Sequence, residues 1–368
     1  MTSESFDQQM MQRCLTIARQ GLGYTSPNPL VGAVIVKHGE IIGEGFHPKA
    51  GEPHAEIFAL GDAGENASGA TVYVNLEPCN HHGRTPPCTE ALIAAQVAKV
   101  VVGMVDPNPL VSGQGIAKLK AAGIDVVVGV EEAACRRLNE AFCYRIVHHQ
   151  PFGILKYAMT IDGKIATSTG HSAWVTGTAS RQLVHETRAF CDGVIVGGNT
   201  VRRDNPHLTI HQATGVNPLR IVMSRNLHLP REAHLWNVDI APTVVFTEWG
   251  KNPSLQAELR TKGVEVIELS PLTPSQVMDV LYERQLCSVL WECGGVLGAE
   301  AIAEGVIQKI MAFIAPKIIG GVSAASPVGD LGLEKMSDAL PLQQVSFRQV
   351  DGDILVEGYL HPYNVSSM

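Results

Sequence analysis

Charge is scarce in this chain. Asp, Glu, Lys and Arg together make up 17% of its 368 residues, and the net charge is −8. That balance offers no electrostatic footprint for nucleic acid and no charged tail of the kind that stays disordered. No uninterrupted apolar run reaches the length of a membrane span. The opening stretch, "MTSESFDQQMMQRC", lacks the apolar core and basic flank of a secretory signal. The eight cysteines are irregularly spaced, unlike the framework of a disulfide-stapled protein. Cys14, Cys135, Cys143, Cys191 and Cys287 are instead expected to pack as small buried hydrophobes. A reducing compartment, the cytoplasm, is therefore expected, with neither membrane nor nucleic acid as a partner. Internal repeats and low-complexity linkers are missing too, so any division into domains has to be read from a change of texture.

What the chain has is a 45% apolar fraction, enough to bury real cores, and a length that exceeds one ordinary domain. In the first part, "DQQMMQRCLTIARQGL" has helical spacing, with Met11, Leu15 and Ile17 in an inward stripe. "LVGAVIVK" and "IIGEGF" flank the short turn "HGE" and predict a hairpin. "ATVYVNL", "AKVVVGMV" and "IDVVVGV" are β-branched runs, each followed by a potential helix, which implies a sheet that is largely parallel beyond the hairpin. The texture changes after "RIVHHQPFG", where Pro151 and Gly153 punctuate the chain. A new series of strands then begins at "GILKYAM", and "VSFRQV" and "ILVEGYL" read as antiparallel additions at an edge. Two α/β domains are expected, over residues 1–150 and 151–368.

"GEPHAEIFAL" places His54 and Glu56 two residues apart where a helix is expected to start. Alone, the pair reads as a surface carboxylate beside a half-buried histidine. "LEPCNHHGRTPPC" adds Cys79 after a strand and Cys88 at the start of the helix "CTEALIAAQ". One imidazole and two thiolates suit zinc, and a catalytic zinc commonly has three protein ligands with a fourth position for water. Pro78, Pro86 and Pro87 restrict the backbone between and beside the cysteines. Glu56 is placed beside such a metal without being needed as a ligand. This is the His-x-Glu, Pro-Cys pattern of the zinc deaminases, in which the glutamate moves protons. The competing reading is a closed structural zinc site with His81 or His82 as fourth ligand.

Eight residues separate the cysteines, where the usual deaminase pattern has two. With that longer loop, and with "TSPNPLVGAVIV", "DPNPLVSGQGI", "KYAMTIDGKIAT" and "VGGNTVRRDNPHLT" in order, the chain resembles the bifunctional deaminase/reductase of riboflavin biosynthesis. The resemblance implies a cytidine-deaminase-like domain followed by a dihydrofolate-reductase-like domain, with Zn2+ and NADPH as cofactors. It implies deamination of 2,5-diamino-6-ribosylamino-4(3H)-pyrimidinone 5′-phosphate, a small-molecule substrate, then reduction of its ribosyl side chain to ribityl. Asn28 falls in the stretch that contacts the pyrimidine. His47 is either close to it or a buried structural histidine, and Arg84 either meets the substrate phosphate or is a solvated arginine. The resemblance also suggests a homo-oligomer, although no motif decides this.

The second half carries no Gly-x-Gly-x-x-Gly after its first strand. Gly294 and Gly295 follow the strand of "SVLWECGGVLGAE" and precede a helix, a place where backbone N–H groups can meet a phosphate. Lys156 lies in an apolar strand and needs a partner there, with a snorkelling structural lysine as the plain alternative. The resemblance puts Lys156 in the reductase active site. It assigns Ala158, Trp174, Thr200, Asp204, Gly294 and Gly295 to the cofactor, and Ser172, Arg188, Leu208, His211 and Glu292 to the substrate. Trp174 reads equally as a core aromatic. Arg188 suits a phosphate because a guanidinium pairs with it bidentately. Two departures stand out: His211 replaces a common phosphate-binding arginine, and "MSRN" replaces an aspartate-serine pair. Arg225 of that stretch is the candidate reader of the NADPH 2′-phosphate.

Overall fold

The computed structural model describes residues 3–81 and 86–360. Two compact units meet in sequence between His149 and Gln150. In the first, α1 (Ser3–Ala18) leads to β1 (Gly32–Lys37), β2 (Glu40–Phe46), α2 (Ala55–Ala63) and β3 (Thr71–Leu76). Then come α3 (Cys88–Ala94), β4 (Lys99–Met104), α4 (Gln114–Ala121), β5 (Asp125–Val128), α5 (Glu132–Leu138) and α6 (Glu140–His148). The sheet order is β2-β1-β3-β4-β5. The predicted hairpin β1–β2 is antiparallel, β1 also runs antiparallel to β3, and β3, β4 and β5 are parallel.

Alternation along β1 divides the core between the two faces of this sheet. Ala33 and Ile35 join Ala55, Ala59 and Ala63 of α2, while Val34 and Val36 join Met11, Leu15 and Ile17 of α1. The alanines of α2 let its backbone come very close to β2. A Cβ on Gly45 would stand 2.5 Å from the carbonyl oxygen of Ala55, and one on Gly43 would stand 2.4 Å from that of Ala59. This contact seats the helix whose first turn carries Glu56.

The second unit contains β6 (Phe152–Thr160), α7 (Thr178–Phe190), β7 (Gly193–Gly197), α8 (Gly198–Asp204), β8 (Leu219–Met223) and β9 (Thr243–Glu248). It continues with α9 (Pro253–Thr261), β10 (Glu265–Leu269), α10 (Pro274–Glu283), β11 (Ser288–Trp291), α11 (Gly295–Ala303), β12 (Lys309–Ala315), β13 (Gln343–Val350) and β14 (Asp353–Tyr359). Its nine-stranded sheet has the order β10-β9-β8-β7-β11-β6-β12-β14-β13. The pairings from β10 through to β12 are parallel, and β14 and β13 add antiparallel at the edge, as the sequence suggests. Trp291 and Phe246 are fully buried in its main core. In an open parallel sheet, ligands gather beyond the carboxyl ends of the strands. Here those ends deliver Gly197 at the end of β7, Ser224 and Arg225 after β8, and Glu292 to Gly295 after β11.

Among the described residues no cysteine forms a disulfide, and Cys14, Cys135, Cys143, Cys191 and Cys287 are buried. Among the described residues, no helix is long and apolar enough to cross a membrane.

Candidate active sites

His54 immediately precedes α2 and Cys88 opens α3, so two helix starts and the loop after β3 converge. His54 Nδ1 is 3.5 Å from Cys79 Sγ and 3.3 Å from Cys88 Sγ, and the three donor atoms lie within 4.8 Å of one another. Zinc bonds of about 2.0 Å to nitrogen and 2.3 Å to sulfur give a tetrahedral edge of about 3.5 Å, so the donors fit that ion. The backbone N–H of Cys88 donates to Cys79 Sγ at 3.3 Å. Hydrogen bonding from Cys88 and His54 holds the Cys79 thiol far below its ordinary pKa, the direction that metal binding requires. His81 is exposed and stands outside the group. His82 and Arg84 lie outside the described residues.

Glu56, only 3% exposed, sits in the first turn of α2. Burial, assisted by repulsion from Cys79, pushes its carboxyl up to about 6. Its Oε2 is buried without a hydrogen-bond partner among the described residues. Leaving a carboxylate oxygen unpaired costs free energy, and such an atom is one that a substrate or an activated water can satisfy. Asn28 Nδ2 lies 3.1 Å from Nε2 of His47, whose Nδ1 is 3.0 Å from the Pro53 carbonyl oxygen. The rings of His47 and His54 meet edge-on at 5.5 Å. His47 is thus buried and touches the Asn28 amide.

In the second unit, a cavity of about 920 Å³ is lined by Lys156, Ala158, Ser172, Trp174, Arg188, Thr200, Asp204, Leu208, His211 and Glu292. A neighbouring cavity of about 550 Å³ shares Ser172, Thr200, Asp204 and Glu292 with it and adds Arg225, Gly294 and Gly295. Every reductase position expected from the sequence thus borders one cleft. Gly294 precedes the first turn of α11, and a Cβ there would meet nothing within 4 Å. Gly295 has no such room, because its Cβ would stand 2.7 Å from the Ser326 carbonyl oxygen.

Three details add to the expectations. Trp174 is not a core aromatic: it is 69% exposed, with the Arg181 guanidinium 4.7 Å from its ring centre. The fork of Arg188, expected to face a phosphate, grips Glu292 through Nε at 2.5 Å and Nη2 at 3.0 Å. Its Nη1 donates to the Thr209 carbonyl at 2.9 Å. A buried carboxylate outcompetes solvent for a planar fork, and Lys156 Nζ closes the triad 3.7 Å from Glu292. Burial alone would raise the Glu292 carboxyl, but Arg188 and Lys156 outweigh it and hold it at about 2. Lys156 is shifted down by burial and partly restored by Glu292. Arg225, the candidate for the 2′-phosphate, lies on the smaller cavity and donates to Glu300 at 2.7 Å.

Sequence reading missed His185, whose ring lies 4.3 Å from that of His211 and whose Nδ1 lies 3.3 Å from Arg188 Nη1. Burial and the Arg188 charge lower its pKa to about 4, so it is neutral at physiological pH. It also missed the backbone of the loop that carries Leu208 and His211. Asn205, Leu208 and His211 have φ of 39°, 54° and 50°, left-handed values that L-residues with side chains rarely adopt. Strain of this kind often collects at ligand sites.

Comparison with known proteins decides the family. The model of the cytidine and deoxycytidylate deaminase zinc-binding region matches residues 4–104, and that of the RibD C-terminal domain matches residues 151–356. The riboflavin biosynthesis protein RibD of Synechocystis is 60% identical over 354 residues, covering 96% of both chains. The chain belongs to the RibD family. The RibD of Aquifex aeolicus is 44% identical over 95% of this chain and 97% of its own. The structure of Acinetobacter baumannii RibD superimposes with a TM-score of 0.87 at 40% identity, covering 97% of this chain and 99% of that one. As a member of this family, the chain is a bifunctional deaminase and reductase of riboflavin biosynthesis that uses zinc and NADPH.

Proposed function

We propose that the two activities are divided between residues 1–150, the deaminase, and 151–368, the reductase. The substrate of the first is 2,5-diamino-6-ribosylamino-4(3H)-pyrimidinone 5′-phosphate, and the second reduces the ribosyl chain of the deaminated product. The observation that carries the reading is the convergence of His54, Cys79 and Cys88 beside a buried, unpartnered Glu56 oxygen.

His54, Cys79 and Cys88 hold zinc, which supplies the Lewis acidity that activates water at neutral pH. Glu56 accepts a proton from the attacking water and returns it to the departing amine, which leaves as ammonia. A carboxyl lifted to about 6 suits both halves of that exchange. Asn28, with its amide held by His47, orients the pyrimidine.

In the second unit NADPH supplies the hydride. Gly294 and Gly295, with Thr200 and Asp204, bind the cofactor, together with Ala158 and Trp174. Lys156 delivers a proton to the carbonyl oxygen of the open-chain sugar, and Glu292 keeps that lysine in place. Ser172, Leu208 and His211 contact the substrate. Arg188 acts by holding Glu292, which is where its fork is engaged.

Two variants test the division crosswise. Glu56→Gln should lower ammonia release by about 10²–10⁴-fold, the usual worth of a general acid–base, with zinc retained and reduction of deaminated substrate intact. Lys156→Ala should lose NADPH oxidation and keep ammonia release. Both activities falling together in either variant would refute the assignment.

We further read the chain as a homo-oligomer in a reducing compartment, the cytoplasm. Strand β13 lies at the sheet edge, with Phe347 and Val345 exposed on it and Met336 and Leu340 exposed just before it. Eight cysteines without a disulfide among the described residues, two of them the proposed thiolate ligands, support the compartment.

A further inference from the structure

"DPNPLVSGQGI", Asp106 to Ile116, takes no part in the chemistry above, yet it wraps around one buried side chain next to a metal-binding residue. Glu77 follows β3, and its backbone N–H donates to the Met104 carbonyl at 2.9 Å. Its carboxylate accepts four backbone N–H groups. Oε2 takes those of Asp106 at 3.2 Å and Gly113 at 2.9 Å; Oε1 takes those of Gly115 at 2.9 Å and Ile116 at 3.2 Å. Converging backbone amides of this kind form an anion cradle.

The cradle also touches the next residue. A Cβ on Gly115 would stand 2.1 Å from the Pro78 carbonyl oxygen, so only a glycine permits this approach. Gly113, at φ 75°, supplies the turn that aims its N–H back at the carboxylate. Pro78 has its φ fixed by its ring, which leaves few soft rotations between the clamped carboxylate and Cys79. Beyond it, the Cys79 carbonyl accepts from Thr89 N at 3.2 Å, and Sγ accepts from Cys88 N.

We propose that Glu77 is a positioning residue for the thiolate of Cys79. The 106–116 loop grips the Glu77 carboxylate, and the rigid Glu77–Pro78–Cys79 step transmits that grip to the sulfur. The proposal rests on His54, Cys79 and Cys88 being the zinc ligands. Partners one layer outside a metal site commonly set its affinity by about 10–100-fold.

The test measures zinc affinity by competition with a chromophoric chelator, and the thiolate-to-metal absorption of the cobalt(II)-substituted protein. Glu77→Gln keeps the shape but turns an N–H2 toward amide donors, and Glu77→Asp keeps the charge with a shorter reach. Zinc affinity should fall on the order of 10–100-fold in the Gln variant and less in the Asp variant. The cobalt spectrum should shift in the same order, and reduction of deaminated substrate should stay at the wild-type level. Wild-type affinity and an unchanged cobalt spectrum in both variants would overturn the proposal, even if their melting temperatures fell. If the Gln variant does not fold, the Asp variant against wild type decides. Wild-type protein that bound no stoichiometric zinc would instead sink the ligand assignment itself.

Discussion

Glu292 shows how one side chain gathers a site from distant parts of a chain. Its two oxygens hold Arg188, 104 residues away in sequence, and it sits 3.7 Å from Lys156. Its pKa of about 2 lies below the value of about 4.3 expected in the unfolded chain, so its stabilising contribution is complete above that unfolded value. The contribution is lost as pH falls from about 4.3 towards 2. Glu292→Gln should destabilise the second unit by roughly 3 kcal/mol at neutral pH, because two buried cations lose their counter-ion. The gap between variant and wild type should narrow below pH 4. All four tryptophans, Trp174, Trp236, Trp249 and Trp291, lie in that unit, so their fluorescence during urea unfolding measures it selectively. Sequence could name Lys156, Arg188 and Glu292 as site residues but not their mutual pairing. An arginine fork suits a phosphate and a carboxylate equally, and only the fold brings the carboxylate there. Arg220 was illegible for the same reason. It is fully buried on β8 and donates to the carbonyls of Leu235, Asn237 and Ala241, acceptors that carry no side-chain signature.

Elements were read more readily than contacts. The start of α2 at His54 and Glu56, the start of α3 at Cys88, and the turn from β11 into α11 at Gly294 all follow from residue types that such junctions require. The antiparallel edge strands were legible too, from the alternating Val345 and Phe347 of β13 and the β-branched and aromatic run of β14, although β13 turns out to be exposed on both faces. What patterning could not disclose was how closely α2 lies on β2. Gly45→Ala would press a methyl against the Ala55 carbonyl and the Ala59 N–H, both 2.5 Å away, and push back the helix that bears Glu56. Overpacking of this sort costs about 1–3 kcal/mol, and ammonia release should fall while reduction of deaminated substrate holds. Gly61→Ala, on the same helix, meets nothing within 4 Å and should instead stabilise by about 0.5–1 kcal/mol. Thermal unfolding of the two variants, set beside their ammonia release, separates the two effects.

Across the whole molecule, the two chemistries draw on separate sheets, five strands for one and nine for the other. Chelating the metal should therefore abolish ammonia release and leave NADPH oxidation of the deaminated substrate untouched, as parallel assays on one sample would show. The proposed zinc donors come from three places along the chain, brought together where β3 pairs with β1 and α2 packs on β2. In a zinc finger, by contrast, the ion itself brings the chain together. Here the donors ride on elements that pack through the sheet and its core, so the metal-free protein is expected to stay folded, as circular dichroism after chelation would show. Under zinc starvation a cell would then hold a standing reserve of folded, half-competent enzyme. Resupply would switch on its deaminase at the pace of ion exchange, with no new synthesis and no refolding.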